Sequence, residues 1–231
     1  MSPTLVLFDI DGTLLRSQGA GVASMQRAFD ELFPGLDVSM DGIPVAGRLD
    51  TLIWHDVMTR AGLDPSTTAL AEFRARYAAI LGSRLRNGTR VVTMPGVPEL
   101  VARLDDRDDV VVGLLTGNWP DTARLKIVAA GLDHDRFRLG AFAGDGPDRR
   151  SLPPVAMQRF AAIEGREPQP SRVIVIGDTP HDVYCAKFNG CRAIAVATGG
   201  ATLDSLAATD ADLVVETLAD TATIERWIVE R

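Results

Sequence analysis

Leu5-Val6-Leu7-Phe8-Asp9-Ile10-Asp11-Gly12-Thr13 opens the chain with an apolar run that ends in acid and glycine. A short continuous apolar stretch closed by turn residues predicts a buried strand, Leu5 to Ile10, feeding a loop. Comparable runs recur downstream. Val110 to Leu115 ends in Thr116-Gly117-Asn118, Val173 to Ile176 in Gly177-Asp178, and Ala193 to Ala197 in Thr198-Gly199-Gly200. Arg138 to Phe142 and Leu213 to Val215 are weaker versions. Helical patterns lie between them. Val97, Leu100, Val101 and Leu104 share one face, as do Leu125, Val128 and Ala129, and Pro120 and Pro180 each stand near a helix start, where a missing N–H is harmless. Alternating strands and helices imply an α/β fold with a parallel sheet covered on both faces. In such sheets ligands bind at the carboxyl ends of the strands, which is where the polar clusters fall.

Residues 16 to 90 break this rhythm. Val22, Met25, Phe29, Leu32 and Phe33 follow helical spacing, as do Leu49, Leu52, Ile53 and Val57, and then Leu70, Phe73, Tyr77, Ile80 and Leu81. The stretch reads as an almost wholly helical insert after the first strand. The expected division is a core of residues 1–15 and 91–231 and an insert of 16–90, with hinges near Arg16-Ser17-Gln18-Gly19 and Asn87-Gly88-Thr89. A chain of 231 residues is long enough for such a core with a smaller insert.

Composition limits the partners. Hydrophobic residues make up 46% and charged residues 24%, with a formal net charge of −7. That balance argues against a broad nucleic-acid footprint. It also repels anionic substrates at long range, so a bound cation or a local basic pocket has to overcome it. No apolar run reaches the roughly 18 residues a membrane span needs. Met1 is followed by neither a basic region nor a small-residue cleavage site, so the expectation is a cytoplasmic protein without a signal peptide, acting as a monomer or homodimer. Cys185 and Cys191 match no zinc spacing and are expected to be buried thiols, while Asn87-Gly88-Thr89 is expected to be a turn.

Three clusters carry chemistry. Asp9 and Asp11 stand two apart at a strand end, where a regular strand would put them on one face and a turn at Asp11-Gly12 could swing the second acid toward whatever the first attacks. A carboxylate is a weak nucleophile, and hydrolysing a phosphate ester through it requires charge neutralisation, normally by Mg²⁺, which favours carboxylate and carbonyl oxygens. Paired carboxylates also let one stay ionised while the other exchanges a proton. An Asx-turn would explain the same residues without chemistry. Asp178 and Asp182, four apart at another strand end, suit a second acidic cluster or a helix cap. Thr116, followed by the exposed N–H groups of Gly117 and Asn118, can hold phosphate oxygens or form an ordinary turn.

In combination, LVLFDIDGTL, LLTGN and VIVIGDTPHD, each after an apolar strand, resemble the haloacid dehalogenase-like superfamily. The insert after the first motif is similar to the phosphoglycolate phosphatase and β-phosphoglucomutase branch. The resemblance covers essentially the whole chain and implies a Rossmann-like core with a helical cap that closes over the site. It implies Asp9 as nucleophile and metal ligand, and Asp11 as general acid and then base with its carbonyl on the metal. Thr116, Gly117 and Asn118 would bind the phosphoryl group, Asp178 would be a direct metal ligand and Asp182 a supporting one. The implied cofactor is Mg²⁺ and the implied substrate a small phosphorylated metabolite. An acid at Asp11 goes with phosphate chemistry in this superfamily rather than with dehalogenation.

One departure matters. The family pattern has a lysine between the second and last motifs, and the only lysines here are Lys126 and Lys187. Each lies about 10 Å along a helix from the strand ends and is expected to be a surface charge. Gly146 to Pro154 occupies the expected place, so Arg149 is the expected substitute, with Arg150 as the alternate. Gly47-Arg48-Leu49-Asp50 resembles the cap segment that reads the substrate, which makes Arg48 the candidate for a carboxylate or second polar group. Trp54 and Trp119 are expected to be packing residues. His55, His134 and His181 are scattered and form no triad pattern, and only His181 falls near the proposed site. The alternatives are a phosphomutase on the same scaffold, or a regulatory phospho-ligand-binding protein that kept the acids and lost turnover.

Overall fold

The structure is a computed structural model and describes residues 3–65 and 69–230. Met1, where the expectation about a leader begins, lies outside the described residues. The core strand β1 (Thr4–Phe8) is followed by the short β2 (Leu15–Arg16) and by α1 (Ala20–Leu32), α2 (Asp50–Arg60) and α3 (Ala69–Arg86). The chain returns through β3 (Val92–Thr93) to α4 (Val97–Asp105), β4 (Val110–Leu115), α5 (Pro120–Ala129), β5 (Leu139–Ala141) and α6 (Leu152–Glu164). It closes with β6 (Val173–Gly177), α7 (Pro180–Phe188), β7 (Arg192–Val196), α8 (Leu203–Ala207), β8 (Leu213–Val215) and α9 (Thr221–Val229).

Six strands form one parallel sheet in the order β5-β4-β1-β6-β7-β8, with Leu7 of β1 opposite Gly113 on one side and Val175 on the other. The sheet is buried on both faces, which is why its strands are apolar runs rather than alternations. Leu5 and Leu7 point into one apolar layer and Val6 and Phe8 into the other. Pro120 and Pro180 are the first residues of their helices, where no intrahelical N–H bond is lost.

The insert packs around aromatic rings. Phe29 stacks on Trp54 at 5.5 Å, Phe73 stands 4.4 Å from Phe29, and Tyr77 continues the group. Trp119, at the start of α5 in the core, meets Phe73 and Tyr77 edge-on at 6.1 and 6.0 Å. Both tryptophans are buried packing residues, and Trp119 anchors the insert to the core. The two crossings between core and insert are paired with each other, Leu15 with Thr93 and Arg16 with Val92 in an antiparallel ladder.

Two expectations are corrected here. Residues 33–49 of the insert are irregular rather than helical, and this segment carries Gly47 and Arg48. Helix α5 turns a different face inward: Thr122, Ala123, Lys126 and Ile127 are buried, while Val128 is 57% exposed. Cys185 and Cys191 are buried free thiols that burial pushes up to about 12, and Lys187 pairs with Asp212 at the surface. Among the described residues, no helix is long and apolar enough to cross a membrane.

Candidate active site

Asp9 directly follows β1, and its N–H donates to Ile176 O at 2.9 Å, so its backbone continues the sheet. The chain then turns. Gly12 has φ 89°, its N–H donates to Leu15 O, and the N–H of Leu14 donates to Ile10 O. The turn gives the two acids different partners. Asp9 is buried beside Arg149, whose Nη2 is 3.2 Å from Asp9 Oδ1. The Asp11 side chain is 44% exposed and accepts through Oδ2 from Lys126 Nζ at 2.6 Å and Asn118 Nδ2 at 2.9 Å.

Asp178 follows β6. Its Oδ1 accepts from Thr13 Oγ1 at 3.1 Å, and glycines crowd its carboxylate: a Cβ on Gly12 would lie 2.5 Å from Oδ2 and one on Gly199 only 1.6 Å away. Asp182 is 1% exposed and closes a capping box at the start of α7, accepting from Thr179 N at 3.0 Å and Thr179 Oγ1 at 2.6 Å while its other oxygen accepts from Arg149. Carboxylate oxygens of Asp9, Asp178 and Asp182 lie within 4.8 Å of one another. The carboxylate of Asp11 is not part of that group.

Electrostatics follow from the crowding. Burial is the main cause that pushes Asp9 up to about 6; Arg149 opposes it, and Asp182 and Asp11 add to it. Burial, then Asp9 and Asp182, push Asp178 up to about 8, against the Thr13 hydrogen bond. Burial alone would weaken the hold of Arg149 on its proton, but the carboxylates of Asp182 and Asp9 outweigh it and raise its pKa further. Three buried acids and one guanidinium leave a net negative charge, which suits a bound cation.

Opposite this group, Asn118 Nδ2 donates to Thr116 Oγ1 at 2.8 Å, and Asn118 Oδ1 accepts from Lys126 Nζ at 2.7 Å. The N–H of Thr116 is taken by Ala141 O. Gly117 meets the insert: its carbonyl accepts from Asp50 N at 2.8 Å, and a Cβ on it would lie 2.0 Å from Arg48 O. Asp50 also accepts from the Trp119 N–H at 3.3 Å, and burial raises it to about 7, with Lys126 pulling down and Asp11 pushing up. Arg149 Nη1 donates to Gly47 O of the insert at 3.3 Å.

A cavity of about 580 Å³ opens between core and insert and is lined by Asp9, Asp11, Thr116, Gly117, Asn118, Lys126, Arg149 and Asp178. The structure therefore brings together the strand-end residues singled out in the sequence. Arg48 also lines the cavity, but Asp56 holds its guanidinium at 2.6 Å. Arg150, the alternate to Arg149, turns away to Asp148 and lies over the Phe188 ring. Lys126 is the residue the sequence reading misplaced. It is 4% exposed and inside the site, because helical side chains lean toward the N-terminus and its long stem reaches back to the strand ends. Asp50, two residues beyond Arg48, is a further acid in the cavity that its sequence position alone does not mark. The signals in the sequence are a lone lysine on a face shared with Ala123 and Ile127 and, for Asp50, only an acid opening a helix.

Comparison with known proteins agrees with this geometry. The family model described as haloacid dehalogenase-like hydrolase matches residues 6–187. The chain is 29% identical to the tyrosine-protein kinase PtkA of Mycobacterium tuberculosis, over 92% of this chain and 68% of that one. It is 29% identical to phosphoglycolate phosphatase 1 of Pseudomonas aeruginosa, over 94% of this chain and 78% of that one. Its fold is similar to that of CbbY from Rhodobacter sphaeroides, solved in complex with phosphate, with a TM-score of 0.73 at 18% identity over 94% and 96% of the two chains.

Proposed function

Since this chain belongs to the haloacid dehalogenase-like hydrolases, in the branch of the phosphoglycolate phosphatases and β-phosphoglucomutases, we propose that it is a phosphatase that hydrolyses a small phosphate monoester through a phosphoaspartate on Asp9, with Mg²⁺ as its cation. The observation that carries this reading is the convergence of Asp9, Asp178 and Asp182 at neighbouring strand ends, with Arg149 paired to Asp9 and Asp182. The oxygens of Asp9 and Asp178, with Asp182 supporting them, suit a hard cation, and the resemblance implies the backbone carbonyl of Asp11 as a further ligand. When bound there, Mg²⁺ would neutralise charge on the phosphoryl oxygens and on the attacking carboxylate.

The protein's own groups do the rest. Arg149 keeps Asp9 ionised and oriented, and it lines the cavity in which the phosphoryl group would sit. Thr116 and Asn118 face the same space and orient the phosphoryl group. Asp9 attacks phosphorus, a new O–P bond forms, and the ester O–P bond breaks. Asp11 gives its proton to the departing oxygen. Lys126 and Asn118 hold Asp11 through Oδ2 and stabilise the carboxylate that remains. Asp11 then takes a proton from the water that attacks the phosphoaspartate, which frees phosphate and restores Asp9. The insert shields these steps from bulk water, with Trp119 and Asp50 fixing it against the core.

The test is phosphate release from a panel of small esters. Release is expected with Mg²⁺, and is expected to vanish in EDTA and in Asp9→Asn. Release that survives Asp9→Asn contradicts the reading. Free phosphate equal to the alcohol marks hydrolysis. Alcohol in excess marks transfer to another acceptor, the chemistry that the name tyrosine-protein kinase gives to one relative. A phosphate that merely moves within the substrate marks the mutase.

A further inference from the structure

We propose that the ester taken by this site carries an uncharged, largely apolar leaving group, such as an alkyl or benzyl alcohol, and that carboxylated esters are discriminated against. The proposal rests on the phosphatase reading and narrows it. It comes from the cavity wall that the phosphate chemistry does not use. On the insert side that wall carries the apolar group Val22, Met25, Val45, Ala46, Ile53 and Tyr77 beside the polar Ser17, Gln18, Arg48 and Asp50. Val22 explains itself this way: it is apolar and 40% exposed on α1, yet it faces the cavity rather than the packed interior. A leaving group seated there covers apolar surface.

The charges of the lining point the same way. Arg48 is the cation the insert presents to the cavity, and Asp56 already neutralises it at 2.6 Å. Lys126 is committed to Asp11, and Arg149 to Asp9 and Asp182. Arg16 is anchored through Nη2 to the backbone oxygens of Thr198 and Gly199 on the core side. Meanwhile Asp11 and Asp50 both line the cavity. A carboxylate on the leaving group would lose its water, find Arg48, Lys126 and Arg149 already paired with acids, and lie near Asp11 and Asp50, while Arg16, which keeps its charge, is exposed to solvent and screened by water.

A matched pair of esters tests this, benzyl phosphate against para-carboxybenzyl phosphate, which differ only in the carboxylate. With Mg²⁺ present, kcat/KM is expected to be at least about tenfold higher for benzyl phosphate. Asp56→Asn frees Arg48 without touching the cavity. It is expected to raise kcat/KM for the carboxylated ester about fivefold or more and to leave benzyl phosphate unchanged. Equal or better turnover of the carboxylated ester by the unaltered protein overturns the proposal. So does an Asp56→Asn protein that discriminates as before. Release from phosphoglycolate but from neither benzyl ester overturns the substrate class and leaves the phosphatase standing. Release from none of the three overturns the phosphatase reading, and the proposal with it.

Discussion

Arg149 Nη2 stands 3.2 Å from Asp9 Oδ1 and donates as well to Asp182 Oδ1, so one guanidinium nitrogen joins the proposed nucleophile to the acid that caps α7. Both partners are buried, and desolvation makes this contact far more consequential than a surface ion pair. Arg149→Ala is expected to lower kcat/KM by about a hundredfold. It also leaves Asp9 and Asp182 without their internal cation, a loss of about 3–5 kcal/mol that lowers the metal-free Tm by about 6–20 °C. Mg²⁺ is expected to raise the Tm of the variant more than that of the unaltered protein. Arg150→Ala is expected to change neither quantity, because Arg150 pairs with Asp148 outside the site.

Lys126 is expected to matter through Asp11. Lys126→Met removes the ammonium 2.6 Å from Asp11 Oδ2 and the donor to Asn118 Oδ1. Turnover is expected to fall by about ten- to a hundredfold, since general acid–base catalysis contributes on that scale. The measurement is kcat at saturating ester and Mg²⁺. Unchanged kcat would show that Lys126 is only a packing residue.

Gly199 tests the Asp178 cradle. Its φ lies outside the left-handed region, and the nearest obstacle to alanine is the Asp178 side chain, with Oδ2 1.6 Å from the added Cβ. Gly199→Ala is expected to displace Asp178 and raise the Mg²⁺ concentration for half-maximal activity by about tenfold or more. Gly200→Ala meets no atom within 4 Å and is expected to leave the Mg²⁺ requirement alone.

Asp50 makes stability depend on pH. Burial raises its pKa to about 7, so the folded protein holds this proton more tightly than the unfolded chain does. The stability it contributes is complete below the ordinary carboxylate range and is lost as pH rises through about 7. Asn cannot titrate and can still accept from the Trp119 N–H. Between about pH 5 and pH 8, the Tm of the unaltered protein is expected to fall relative to that of Asp50→Asn, by about 5 °C. Parallel pH curves for the two proteins would contradict this.

The sheet was legible in the sequence because a strand buried on both faces has to be a continuous apolar run. Val110–Leu115 and Leu213–Val215 match the expected strands end to end, and the others shift by a residue or so at their ends. The strand-end acids were legible for the same reason, since each run stops at the polar residue that leaves the sheet. Helix faces were harder to read. Leu125, Val128 and Ala129 make as good a helical stripe as Ala123, Lys126 and Ile127, and periodicity counts a buried lysine as polar. The pairing of Lys126 with Asp11, 115 positions away in sequence, and the packing of Ala123 and Ile127 into the core turn that face inward. Segment 33–49 is irregular although Phe33 and Leu49 at its ends continue the apolar spacing of the neighbouring helices. The neutralisation of Arg48 by Asp56 depends on how that segment meets α2, which spacing does not encode.

Hydrolysis through Asp9 requires that Asp9 become covalently phosphorylated. The direct measurement is an acid quench during turnover with Mg²⁺ and a rapidly hydrolysed ester, followed by peptide mass spectrometry. A phosphoryl group is expected on the peptide carrying Asp9, chased away on further incubation and absent in Asp9→Asn. When turnover runs in heavy-oxygen water, the label is predicted to enter the released phosphate and not Asp9, because water attacks phosphorus. Phosphate release with no phosphorylated Asp9 peptide at any quench time, together with activity retained in Asp9→Asn, would contradict it.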